Sequence, residues 1–80
     1  MLILERISET EYRYSSSRDK RFGVIDITDP NHMITRILCE EDEEFLQEIG
    51  VTAYDKDAKR EIRYMIKTTG LKDKVVKCWG

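Results

Sequence analysis

Eighty residues, about half of the ~150 in a typical domain, allow one compact unit and predict a single domain over 1–80. With 40% hydrophobic and 38% charged residues, the chain is too apolar for a disordered segment and too charged for a membrane protein. The net charge of −2 is segregated along the chain: −2 over 1–12, +3 over 13–21, −7 over 22–54 and +4 over 55–80. A fold with an acidic and a basic pole is therefore expected, and such surfaces steer association with charged partners.

The apolar opening Met1-Leu2-Ile3-Leu4 is stopped by Glu5 and Arg6, so neither a signal peptide nor a membrane span fits. The cysteines, Cys39 and Cys78, are too few for a disulfide-built miniprotein. Reduced, unpaired thiols and a cytoplasmic setting are expected.

In chain order, Leu2–Ile7 and Glu11–Ser15 carry extended-favouring residues and count together as the first extended run. The segment 15–20 is polar and turn-prone. Phe22–Thr28 supplies the second run and Met33–Cys39 the third, joined by Asp29-Pro30-Asn31-His32. In that turn Asp bonds ahead to backbone N–H groups, Pro presets φ at the second position, and Asn tolerates the third. Pairing this hairpin about its turn sets Thr28 opposite Met33, Ile27 opposite Ile34 and Val24 opposite Ile37. One face then shows Ile25, Ile27, Ile34 and Leu38, and the other Phe22, Val24, Met33, Ile37 and Cys39. Both faces are apolar, so the second one requires a cover.

From Glu40 the period changes. Five consecutive acids, Glu40 to Glu44, open a helix where they complement its dipole. Phe45, Leu46 and Ile49 form its apolar stripe, and Gly50 suits the left-handed position that ends it. A second helix opens near Thr52 or Asp55, with Tyr54, Ala58, Ile62, Met65, Ile66 and Thr69 on one stripe; Gly70 ends it in the same way. Lys74–Trp79 reads as an edge strand guarded by Lys74 and Lys77. The predicted fold is a small α+β domain: a three-stranded antiparallel meander, two helices packed on one face, and a C-terminal edge strand, β-β-β-α-α-β.

Catalytic chemistry finds little to work with. The Asp26-to-His32 run gathers metal-ligand types, but the turn itself explains their spacing. His32 is the only histidine, and nothing places a nucleophile beside it. There is no glycine-rich phosphate loop and no zinc spacing. The acidic run lacks the central glycine of a calcium loop. A helix-turn-helix reading fails, because the seat for its second helix falls on Lys56 and Lys59. No enzyme activity, cofactor, metal or small-molecule substrate is inferred.

Two surfaces remain. Phe22, Val24, Met33, Ile37 and Trp79 make up a candidate protein interface, with a protein partner or a second copy of the chain as its occupant. Arg13, Tyr14, Arg18, Lys20 and Arg21, together with Lys56, Lys59, Arg60, Arg63 and Lys67, interleave cations with an aromatic in the manner of a nucleic-acid surface. The acidic sequence pI of about 5.4 ranks that surface second. The expectation is a non-enzymatic regulatory protein, inhibitor- or adaptor-like, that occludes or bridges a protein partner. A nucleic-acid-binding module is the alternative.

Overall fold

A computed structural model describes residues 1–78. The chain is α+β, in the order β1 (Leu2–Ser8), β2 (Glu11–Ser15), β3 (Gly23–Asp26), β4 (Ile34–Ile37), α1 (Glu40–Ile49), α2 (Tyr54–Lys67) and β5 (Lys74–Lys77). The strands form one antiparallel sheet in the order β4-β3-β2-β1-β5. The meander thus has four strands where the sequence predicted three, because the first extended run splits at Glu9-Thr10. No Gly, Pro or Asn marks that turn. Hydroxyls make it instead: the Thr10 N–H donates to Ser8 Oγ at 3.2 Å. β5 returns to lie against β1, with Val75 beside Leu4 and Val76 beside Ile3, and it is an edge strand as expected.

Period-2 alternation sends Leu2, Leu4, Tyr12, Tyr14 and Ile25 to one side of the sheet, where Ala58, Ile62 and Met65 of α2 close the core. These three helical residues lie within one narrow stripe and are buried as the spacing predicts. Ile66, placed on the same stripe, falls at its margin and is exposed. Gly50 and Gly70 adopt φ of 76° and 86°, the left-handed conformation assigned to both from sequence.

The hairpin turn forms as read: the Asn31 N–H donates to Asp29 Oδ1 and the His32 N–H to the Asp29 carbonyl, both at 2.9 Å. Its ladder does not keep one register. Val24 pairs with Ile37 as predicted, but Ile25 then meets Thr35 and Asp26 meets Ile34, leaving Arg36 as a bulge. The slip reverses the faces assigned nearer the turn. Met33, expected on the open face, is buried in the core, and Ile34, expected on the helix side, stands half exposed on the open one; Cys39, also expected on the open face, lies past the end of β4 and is buried as the residue that opens α1.

A further correction concerns α1, whose stripe does not pack on the sheet. Leu46 is 46% and Ile49 66% exposed. The helix is anchored by Asp42 instead, which is buried. Asp42 Oδ1 accepts the N–H groups of Ala53 and Tyr54 at 3.0 and 2.9 Å, and Oδ2 accepts that of Asp55 at 2.8 Å. One helix thereby supplies the N-terminal cap of the next. Phe45 stacks on Tyr54 with ring centroids 6.2 Å apart, closing the same joint.

Candidate functional site

Opposite the helices, the sheet shows a second face. Its β1 end is closed, since Ile3, flanked by Ser15 and Val76, is buried there. A charged centre follows: Glu5 Oε1 accepts from Arg13 Nε at 2.7 Å, and Arg18 and Lys74 approach Glu5 Oε2 at 3.3 and 3.8 Å. The Arg13 guanidinium, and after it Arg18, holds the Glu5 carboxyl below the usual carboxylate range. Arg13 also lies over the ring of Phe22, 4.5 Å from its centroid. Beyond Arg13 the face carries Val24, Ile34 and Ile37, with Asp26 opposite Ile34. Val24 is half-buried, while Ile34 and Ile37 are 49% and 50% exposed on the edge strand β4. The bulge at Arg36 allows Ile34 and Ile37, three residues apart, to share one side of the strand. Arg36 itself turns back to Asp26, at 2.9 Å.

The basic segment 13–21 is paired with acids throughout. Besides Arg13 and Arg18 on Glu5, Lys20 binds Glu41 at 2.6 Å, and Arg21 pairs with Glu43 and donates to the Leu38 carbonyl at 2.9 Å. Tyr14 is fully buried. Its hydroxyl donates to Asp42 Oδ2 at 3.1 Å and accepts from the Cys39 N–H at 3.2 Å. Burial pushes that phenol far above its ordinary range. No face of Tyr14 is open to a base. Four of the five acids in the run are correspondingly occupied: Glu41 and Glu43 dock the 20–21 segment, Glu40 accepts the Arg21 N–H at 3.4 Å, and Asp42 caps α2.

On α2 the predicted cations do lie together, on the side away from Ala58, Ile62 and Met65. Lys59 approaches Asp55 at 3.9 Å and Arg60 approaches Asp57 at 3.3 Å. Lys56, Arg63 and Lys67 have no ion pair among the described residues. Tyr64, which sequence reading passed over, is 62% exposed. It lines a shallow cleft of about 320 Å³ with Arg60, Glu61 and Lys77. Its position four residues after Arg60 and three before Lys67 is a signal the sequence did contain.

Of the interface residues expected from sequence, Phe22, Val24 and Ile37 are brought to one face, Met33 is not, and Trp79 lies outside the described residues. Ile34 joins them. Its place depends on the bulge, which hydrophobic alternation cannot show. Among the described residues no group of three His, Cys, Asp or Glu side chains is set to hold a metal ion, and no helix is long and apolar enough to cross a membrane. No protein-family model, curated protein or solved structure matches this chain.

Proposed function

We propose that this chain is a non-enzymatic interaction protein, inhibitor- or adaptor-like, that occludes or bridges a protein partner through the open face at β3 and β4. One observation carries the reading: Ile34 and Ile37 stand half exposed side by side with Val24 on a sheet face that no helix covers. A fully buried isoleucine contributes about 1.5–3 kcal/mol, so each half-exposed one retains roughly 1 kcal/mol for a partner to realise. β4 is also an edge of the sheet, with no strand among the described residues beside its outer backbone groups. A partner strand added there would gain main-chain hydrogen bonds, with the isoleucines selecting its side chains.

The reading places the protein in a reducing cytoplasm, in keeping with two free cysteines, Cys39 buried and Cys78 exposed. Burial raises the Cys39 thiol above its ordinary range, which suppresses its reactivity. A Cys39–Cys78 crosslink in rapidly alkylated cell extract would argue against that compartment.

The test is affinity capture from the native cell with wild type, Val24→Glu and Ile37→Glu, followed by titration of the purified partner by calorimetry. Each variant is expected to lose at least tenfold in affinity while keeping a native circular-dichroism spectrum. Wild-type affinity in both folded variants would remove this face from the interface.

A further inference from the structure

The solvent side of α2 is built differently from the other basic segment. Lys56, Arg60, Arg63 and Lys67 follow one another at intervals of four, three and four residues. They therefore form one row, about 16 Å long at 1.5 Å per residue. Only Arg60 of the four has an acid beside it, Asp57, on the same exposed surface. In the 13–21 segment, by contrast, Arg13, Arg18, Lys20 and Arg21 all hold carboxylates. The row on α2 is thus the basic surface still available to a ligand.

Tyr64 adds a second kind of group. Its ring, 62% exposed, stands at the flank of the row and borders the cleft of about 320 Å³. The other walls are Arg60, Lys77 and Glu61, and the Glu61 carboxylate is held by Lys77 at 3.1 Å. The cleft therefore sets a flat aromatic surface beside the row, whose Lys56, Arg63 and Lys67 carry no ion pair among the described residues. The acidic net charge of the chain does not cancel the row's charge locally. At physiological salt a field decays within about 8 Å, and Glu5, Asp26, Glu41 and Glu43 are each held by a cation on other elements.

A row of cations tracks a chain of phosphates, and an exposed ring offers a stacking platform to a base whose face is free. A duplex supplies the phosphates but keeps its base faces stacked away. We propose that the α2 row, with Tyr64 and the cleft beside it, is a binding site for single-stranded nucleic acid. This surface is separate from the open sheet face, and the proposal does not depend on that face having a partner.

Fluorescence anisotropy with a labelled oligo(dT) and oligo(U) of about 15 nucleotides, set against a duplex of equal length, tests it. The single strands are expected to bind at low salt with a log–log salt slope of about −2 to −3, as three or four phosphate contacts require, and to bind tighter than the duplex. Arg63→Gln combined with Lys67→Gln should reduce that slope by about 1.4. Tyr64→Ala should weaken binding roughly 5- to 100-fold, and Tyr64→Phe, which keeps the ring, should restore it. These residues face solvent, so the fold is expected to survive each change, as circular dichroism would verify. Absence of binding at about 20 mM salt overturns the proposal. So does a Tyr64→Ala protein that binds like wild type, or equal affinity for duplex and single strand, since either result reduces the row to a nonspecific cationic surface.

Discussion

Tyr14 occupies its site because its cross-strand partner, Gly23, has no side chain. A Cβ at Gly23 would run into Tyr14 Cε1 and stand 2.5 Å from both the Cys39 nitrogen and the Ile37 carbonyl oxygen. Two of those neighbours are backbone and cannot turn aside. Gly23→Ala is therefore expected to destabilise by about 1–3 kcal/mol, the range for overpacking a closed site, and a urea midpoint equal to wild type would refute the close approach. Asp42 is the opposite case, a side chain whose removal leaves groups stranded. It takes three backbone donors and the Tyr14 hydroxyl inside the core. Losing a helix cap costs about 1 kcal/mol, and a buried donor left unpaired costs about 1–3 kcal/mol. Asp42→Ala should therefore cost about 2–4 kcal/mol by chemical denaturation, and tolerance of the change would mean that water replaces the cap. Neither role was legible in the sequence. Asp42 sits among five consecutive acids that all read as dipole compensation, and only the fold distinguishes the one that faces inward.

Elements were legible where one periodic stripe met one apolar surface. α2 is that case: Ala58, Ile62 and Met65 repeat at four and three residues and all are buried. Ile62→Ala at the centre of this stripe should cost about 2–4 kcal/mol; an unchanged denaturation midpoint would mean that the helix is rotated. α1 carries an equally regular stripe, yet its Leu46 and Ile49 face water. Periodicity says which residues share a side of a helix, and the anchoring of α1 by Asp42 decides what that side meets. The hairpin shows the same limit. Its turn was readable from Asp29-Pro30-Asn31, but the bulge at Arg36 is set by pairing with β3. Asp26, next to that bulge, carries a pH-dependent contribution. The Thr28 hydroxyl first, then the Thr28 N–H and Arg36, hold its carboxyl down to about 2. In the unfolded chain it titrates near 4. A depressed folded value stabilises the native state above about pH 4, and this contribution is lost as pH falls toward 2. An NMR titration should place the Asp26 midpoint near 2, with Thr28→Val moving it upward. A wild-type midpoint near 4 would show that these hydrogen bonds do not persist in solution.

For the whole molecule, the two borders of the sheet differ in how they are protected. The β5 border carries Lys74 and Lys77, engaged with Glu5 and Glu61 at 3.8 and 3.1 Å, and charged residues at an edge oppose the addition of another strand. The β4 border carries Ile34 and Ile37, and its only cation, Arg36, is drawn back to Asp26. The segregated charge read from the sequence thus becomes pairing of the 13–21 cations with acids of β1 and α1, and along the β4 border the surface left open is apolar. Two copies meeting antiparallel over Ile34–Ile37 would continue the sheet and set Ile37 of each against Ile34 of the other, a self-complementary contact about a two-fold axis. Sedimentation velocity over a wide concentration range is expected to show a monomer–dimer equilibrium for wild type. Ile37→Lys places a cation on this edge and should leave monomer throughout. A single monomeric species for wild type at the highest concentration would exclude pairing between copies and leave the β4 edge to a different protein.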